Sequence, residues 1–179
     1  MVCRGKQVDE IKSIIEALIL ASENPVSVDK IADVIGSTDK NEIACQLSEI
    51  VNEYREKNGG ICLQEVAGGF QFRTRSDLAP WIKKLKGLRS RLTSTSLETL
   101  AVIAYRQPVM KSEIDRIRGV DAGGAIKKLL EKKLIRIMGR KDVPGKPMIY
   151  GTTKKFLEVY NLQDLSDLPT LQELKELQE

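Results

Sequence analysis

The chain has 179 residues, 41% hydrophobic and 30% charged, a composition ordinary for one or two globular domains that excludes disorder throughout. It contains no histidine, which excludes Ser–His and Cys–His nucleophiles and removes the commonest metal ligand, although carboxylate or lysine catalysis stays open. The net charge is +4, and no apolar run is long enough for a signal peptide or a membrane span.

Three helices are predicted at the start of the chain. The first ends before Pro25, because the residue preceding a proline is driven out of the helical region. A short helix starts at Ser27 or Val28 and stops at Gly36, and Asp39 is a candidate N-cap for the third. The residues expected on their inner faces are Ile11, Ile14, Ile15, Leu18, Ile19, Ile31, Val34, Ile35, Ile43, Leu47, Ile50, Val51 and Tyr54.

A hairpin and a last helix complete this first unit. Ile61–Val66 and Phe70–Thr74 alternate as strands around a Gly68-Gly69 turn. The helix that follows is marked by Leu78, Trp81, Ile82 and Leu85.

The same order of elements returns 83 residues later, where Pro108-Val109 aligns with Pro25-Val26. Thr95 and Glu98 have the spacing of a capping box at the start of a helix that ends before Pro108. Gly119 ends the short second helix, and Asp121 can cap the third. The inner faces are assigned to Leu97, Leu100, Ala101, Ile103, Ala104, Ile114, Ile117, Ile126, Leu129 and Leu130.

The second hairpin is predicted to pair Leu134–Met138 with Met148–Thr152 across a basic loop, Gly139–Pro147, that is rich in glycine and proline. A final helix carries Phe156, Leu157 and Tyr160. Three helices followed by a two-stranded wing form the winged-helix arrangement. The fold class is therefore α+β, mainly α, with two tandem winged-helix domains.

The predicted boundaries are 1–88 for the N-terminal domain, 89–160 for the C-terminal domain and 161–179 for an acidic, leucine-rich tail, with residues 86–94 as a polar linker. In the tail, leucines recur every third residue, at Leu162, Leu165, Leu168, Leu171, Leu174 and Leu177. Such a stripe indicates either a segment that binds in the groove of a partner or a frayed terminus.

No metal or cofactor is predicted. Cys3, Cys45 and Cys62 are too widely spaced for a zinc site, and the last two are expected to be small core residues in a reducing cytoplasm. The loop Gly139–Pro147 resembles a phosphate loop only superficially, because five residues separate its glycines and a proline follows its lysine.

The charge is unevenly distributed. Residues 93–160 carry 14 basic and 7 acidic residues, a net +7, whereas residues 161–179 carry 1 and 5, a net −4. This asymmetry indicates a nucleic acid or an acidic partner, and a merely solvated basic face explains it equally well. Contacts to the DNA backbone are considered for Lys127, Lys128, Arg136, Arg140, Lys141 and Lys146.

Sequence-specific reading of DNA is disfavoured. The third helix of the first unit is acidic on its outside, and that of the second begins with small residues followed by lysines, which read bases poorly. Gly123 and Gly124 open this helix at a cost of roughly 1 kcal/mol each relative to alanine. They serve either packing within the domain or a close contact with a partner.

The second unit contains four distinctive short motifs: Ile103–Pro108 (IAYRQP), Arg118–Asp121 (RGVD), Gly139–Asp142 (GRKD) with Pro144-Gly145, and Tyr150–Thr153 (YGTT). With these motifs the chain closely resembles the bacterial segregation and condensation protein B family. The resemblance extends over roughly residues 10–170, and the first unit matches mainly in pattern.

The resemblance implies a homodimer formed through the first domain, without catalytic activity. It implies an accessory subunit of the SMC–kleisin complex, bound to the kleisin subunit (segregation and condensation protein A) and through it to the SMC ATPase, in the cytoplasm at the nucleoid. The alternative is a tandem winged-helix transcriptional regulator. Candidate partner-binding residues are Arg106, Pro108, Arg118, Gly119, Asp121, Gly123 and Gly124. Local pairing of Arg118 with Asp121 is the structural alternative for those two residues.

Overall fold

A computed structural model of the chain describes residues 3–37, 39–86, 92–170 and 173, and the side chains of residues 3–9 and 86 are not described. The chain divides into two compact units, Met1–Leu88 and Arg89–Glu179. Residues 87–91 of the predicted linker lie outside the described residues.

The first unit is a winged helix, as its periodicity predicts. Ser27 and Asp39 cap the second and third helices through their side-chain oxygens, and Gly36 ends the second in the left-handed region. The elements are α1 (Cys3–Ala21), α2 (Val28–Ile35), α3 (Lys40–Glu56), β1 (Ile61–Val66), β2 (Gly69–Thr74), a 3-10 turn (Ser76–Leu78) and α4 (Ala79–Lys86).

The wing of the first unit is a tight antiparallel hairpin. Its turn is formed by Ala67 and Gly68 and not by the predicted Gly68-Gly69, because Gly69 already pairs with Val66 in the ladder. Both turn residues have positive φ, which suits the right-handed twist of the flanking strands. Gly69 lies against the backbone of Val26, where a Cβ atom would come within 2.8 Å of the Val26 carbonyl carbon. The hairpin can therefore pack on the segment between α1 and α2 only with glycine at this position.

The core of the first unit follows the predicted inner faces with three corrections. Ile14 is 40% exposed, because α1 turns Ile15 and Ile19 inward instead. Val34 is also exposed, because α2 is only two turns long and turns Ile31 and Ala32 inward.

The two cysteines expected in the core are not core residues, since Cys45 is exposed and Cys62 is half-buried. The main core cluster comprises Ile15, Ile19, Val26, Ile31, Ala32, Ile43, Leu47, Ile50 and Leu63, and Val66 and Ala67 are buried as well.

The second unit repeats the winged helix and adds a third strand. Its sheet has the order β3-β5-β4, so β4 is an edge strand and β5 is central. The elements are α5 (Ser94–Arg106), β3 (Val109–Met110), α6 (Lys111–Arg118), α7 (Gly123–Glu131), β4 (Ile135–Arg140), β5 (Met148–Thr152), α8 (Lys154–Tyr160) and a 3-10 turn (Leu165–Asp167).

The predicted limits of two elements are wrong. The N-cap of α5 is Thr93, whose hydroxyl accepts from the Ser96 N–H, so Thr95 lies inside the helix. Residues 93–96 are all serine or threonine. The capping-box spacing alone therefore identifies the wrong one of them as the N-cap. Strand β4 runs to Arg140 rather than Met138, past a bulge between Ile137 and Gly139, and shortens the predicted loop.

The core of the second unit omits three residues assigned to it. Leu97, Ala101 and Ile117 are exposed, because the buried faces of α5 and α6 are narrower than the apolar stripes in the sequence. Thr99 is buried instead, with its hydroxyl bonded to the Thr95 carbonyl. The core comprises Leu100, Ile103, Ala104, Val109, Ile114, Ala122, Ile126, Leu129, Leu134, Ile135, Tyr150 and Phe156.

The end of α5 is fixed to the sheet by the side chain of Gln107. Its Oε1 accepts from the backbone N–H of Thr152 at 2.7 Å and from the Thr152 hydroxyl at 3.1 Å. A Cβ atom at Gly151 would lie 2.8 Å from Gln107 Oε1, so a larger residue there would displace this amide from Thr152. The predicted Gln-Pro break and the predicted wing thus meet at one point.

The first part of the acidic tail packs on the second unit. Leu162 and Leu168 contact its core, and the Tyr105 hydroxyl donates to the Pro169 carbonyl at 2.7 Å. Residues 161–170 are therefore not a frayed terminus, whereas Leu171, Leu174 and Leu177 lie outside the described residues. Across the part of the chain that the structure describes, no helix has the length and hydropathy needed to cross a membrane.

Candidate partner-binding surfaces

The turn between α6 and α7 is held by one lysine between two carboxylates. Lys111 Nζ lies 2.7 Å from Asp115 Oδ2 and also contacts Asp121, and the hydrogen bonds to these carboxylates raise the pKa of Lys111 to about 12. Asp115 accepts in addition from the backbone N–H of Ala122 at 2.8 Å. The hydrogen bond from Lys111 and the one from Ala122 lower the pKa of Asp115. The turn is therefore rigid and pre-shaped.

The predicted cap of α7 is only partly correct. The N-cap position is occupied by Ala122, which has no side-chain hydrogen bond, although Asp121 accepts from the Gly123 N–H at 3.2 Å. Asp121 is thus one residue further from the helix than expected, and its main partner is Lys111 rather than Arg118.

Arg118 pairs with Glu98 instead. Its Nη2 lies 3.1 Å from Glu98 Oε2 on α5, and the Arg118 side chain is only 6% exposed. Hydrogen bonds from Ser94 and then from Arg118 lower the pKa of Glu98. The Nε and Nη1 atoms of Arg118 are buried and have no hydrogen-bond partner among the described residues. The ion pair therefore joins α6 to α5 and leaves little of the guanidinium exposed to a partner.

Exposed apolar side chains accompany this ion pair. Leu97 precedes Glu98 on α5, Ile117 precedes Arg118 on α6, and Val120 follows in the turn, and each is 45–54% exposed. We call these five residues the Arg118 surface. Its apolar residues were not predicted to bind a partner. The helical periodicity placed Leu97 and Ile117 in the core, and no pattern in the sequence singles out Val120.

The glycines near this surface have different roles. Gly119 ends α6 with φ of 71°, a conformation that other residues seldom adopt. At Gly123 a Cβ atom would lie 3.1 Å from Asp121 Oδ2 and 3.2 Å from Lys111 Cε, so this glycine serves packing within the unit. At Gly124 a Cβ atom would meet nothing within 4 Å. Of the two explanations offered for this pair, packing therefore applies to Gly123 alone.

Arg106 and Pro108 are not brought to the Arg118 surface. Both are exposed and lie at the C-terminal end of α5, where the Gln107-Pro108 peptide bond is cis. Glu98 is eight residues earlier on the same helix, about 12 Å along its axis. The predicted partner-binding residues thus fall into two groups on the second unit.

The residues considered for DNA contact lie on α7, β4 and the wing loop. Lys127, Lys128, Arg136, Arg140, Lys141 and Lys146 are all exposed. None of them forms an ion pair with another described residue, and Arg140 donates to the Lys146 carbonyl at 3.1 Å. No group of three or more carboxylate or cysteine side chains among the described residues is arranged to hold a metal ion.

Comparison with known proteins decides the family. Residues 13–171 match the family model described as "Segregation and condensation complex subunit ScpB". The chain belongs to the ScpB family. The segregation and condensation protein B of Syntrophotalea carbinolica is 48% identical over 94% of this chain and 85% of its own length. That of Symbiobacterium thermophilum is 43% identical over 90% of this chain and 74% of its own length.

Solved ScpB structures are also similar to the chain. A crystal structure described as a dimer of the ScpB N-terminal domain complexed with ScpA peptide is 31% identical over 44% of this chain and 98% of its own, with a TM-score of 0.41. The ScpB crystal structure from Mycobacterium tuberculosis is 34% identical over 87% of this chain and 97% of its own, with a TM-score of 0.42. The family-model match and the identity to the curated relatives confirm the resemblance expected from the sequence motifs.

Proposed function

We propose that the chain is a non-catalytic accessory subunit of an SMC–kleisin complex and supports chromosome condensation and partition in the cytoplasm at the nucleoid. The observation that carries the proposal is its 48% identity, over 94% of its length, to a segregation and condensation protein B. The protein acts by binding, needs no cofactor, and reaches the SMC ATPase through the kleisin.

We propose that the first unit forms a homodimer. On α4, Trp81 is 68% and Leu85 85% exposed, and on α1 Leu20 is 72% exposed. Large apolar side chains at such exposure favour burial against another protein surface. A second copy of the chain provides that surface in the proposed assembly.

The proposed kleisin contact uses the second unit. The Arg118 surface supplies the exposed apolar side chains of Leu97, Ile117 and Val120 beside the ion pair of Arg118 and Glu98, which suits a partner segment carrying apolar residues. Asp121, Gly119, Gly123 and Gly124 shape the adjoining turn, and at Gly124 a partner backbone can approach closely. Arg106 and Pro108 form a separate contact at the other end of α5.

A transcriptional regulator would read base edges with α7. The solvent side of that helix presents Gly124, Lys127, Lys128 and Glu131, which are poorly suited to the bidentate contacts that distinguish bases. The accessory subunit is therefore preferred over the regulator.

The test is size-exclusion chromatography with light scattering, on the protein alone and mixed with the kleisin of the same organism. We expect a dimer that shifts to a larger complex, and a dimer unaffected by the kleisin would contradict the proposal. Ile117→Lys should weaken the complex at the Arg118 surface. Val159→Lys is the matched control, because Val159 on α8 is similarly exposed but lies outside that surface.

A further inference from the structure

The positive charge of the second unit is concentrated in one segment. Residues 123–152, from α7 to the end of β5, contain eight basic and two acidic residues, a net charge of +6. Residues 93–122 contain four of each and are neutral. Most of the net positive charge of residues 93–160 therefore lies on α7 and the wing.

Four carboxylates of the unit form ion pairs outside this segment. Glu98 pairs with Arg118, Asp115 and Asp121 share Lys111, and Glu158 pairs with Lys155. The eight basic side chains of residues 123–152 form no ion pair with any described residue. Their charge is thus available to a partner rather than neutralised within the unit.

The wing loop holds its charges in a defined shape. Lys141 donates its backbone N–H to the Pro147 carbonyl at 2.9 Å, and Lys146 donates to the Val143 carbonyl at 2.8 Å. The guanidinium of Arg140 bonds to the Lys146 carbonyl across the loop. A charged loop that is ordered before binding loses less conformational entropy when it meets its partner.

The dimensions suit a duplex. Helix α7 is about 13 Å long, and the strand from Arg136 to Arg140 covers another ~13 Å, against a major groove about 12 Å wide. Exposed apolar side chains stand among these arginines, at Ile137 and Met138 on β4 and Met148 on β5. Proteins that bind DNA grooves also combine arginine with apolar side chains.

We propose that α7 and the wing of the second unit bind the phosphate backbone of double-stranded DNA without sequence preference. The surface comprises Lys127, Lys128, Arg136, Arg140, Lys141 and Lys146. Lysine dominates on α7 and no amide or arginine accompanies it there, so the helix contacts phosphates and does not read bases. This inference goes beyond the accessory role and does not depend on it.

The experiment is a fluorescence anisotropy titration of the full chain with two unrelated 30-base-pair duplexes at several salt concentrations. Six phosphate contacts at about 0.9 released counterions each predict a slope of log affinity against log salt near −5. Between 50 and 200 mM salt the affinity should fall about 10³-fold. The two duplexes should bind equally within about threefold, because contacts to phosphates carry no sequence information.

Charge-reversal variants locate the surface. Lys127→Glu with Lys128→Glu should lower the slope by about two and weaken binding at 50 mM salt at least tenfold. Arg136→Glu with Lys141→Glu is an independent second variant, and circular dichroism shows that each is folded. The matched control is Lys30→Glu on α2 with Arg55→Glu on α3, two exposed residues of the first unit. It changes the net charge equally and should weaken binding less than threefold.

Four results would overturn the proposal. They are an affinity for DNA that does not change with salt, a strong preference for one duplex, an equal loss of affinity in the control variant, and an unchanged affinity in both charge-reversal variants. Binding of poly-glutamate that matches DNA and is lost in the same variants would also overturn it, since the surface would then fit an acidic protein. Kleisin binding is measured on the same samples. If the unaltered chain binds the kleisin but not DNA, this proposal alone is contradicted.

Discussion

Replacing Gly124 by alanine should stabilise the second unit. Gly124 occupies the second position of α7, has a helical backbone, and a Cβ atom there meets no heavy atom within 4 Å. Alanine in a helix is favoured over glycine by about 0.5–1 kcal/mol, because the unfolded chain then has fewer conformations to lose. At about 4–8 °C per kcal/mol for a domain of this size, the melting temperature should rise by about 2–8 °C.

Differential scanning calorimetry of the full chain measures this change, and Gly123→Ala is the matched control. There the new methyl group would press on Asp121 Oδ2 and Lys111 Cε at 3.1 and 3.2 Å, so the gain should be offset or reversed. Equal stabilisation by both variants, or destabilisation by Gly124→Ala, would refute the reasoning. If Gly124 is instead kept for close approach of the kleisin, the more stable variant should bind it about tenfold more weakly.

Three further predictions concern single contacts. Thr93→Ala should lower the unfolding free energy by about 1 kcal/mol in urea denaturation, whereas Thr95→Ala should change it little, because Thr93 is the N-cap. Gln107→Leu should cost about 1–3 kcal/mol by the same assay, since it leaves the two donors of Thr152 without their acceptor. The pKa of Asp115 is lowered in the folded protein, so its ionised carboxylate stabilises the fold fully above the pKa of an ordinary aspartate. This stabilisation is lost as the pH falls below about 4. The melting temperature of Asp115→Asn should therefore depend less on pH than that of wild type across this acid range.

The fold could be predicted because its signals are local. Proline at 25 and 108 and glycine at 36 and 119 end helices through backbone geometry alone, and apolar stripes identify the helices between them. Repetition of this order at a constant offset predicted two winged helices. Each of these signals depends on residues within a few positions of one another.

The candidate site was harder to predict because its contacts are distant in sequence. Arg118 pairs with Glu98, 20 residues away, and Lys111 with Asp121, ten away, and no local rule joins either pair. Leu97 and Ile117 have the spacing of core residues, yet each lies at the margin of its helix's buried face. The spacing of apolar residues shows which face of a helix is buried. It does not show how much of that face the neighbouring helices cover.

The irregularity of β4 has a consequence for solubility. This strand lies at the edge of its sheet, so one side of its backbone is open to any other strand that could extend the ladder. The bulge after Ile137 interrupts the regular spacing of the groups that such a strand would need, and Arg136 and Arg140 place like charges opposite each other if a second copy adds there. The edge of the wing is thereby kept from extending its sheet with the β4 strand of a second copy of the chain.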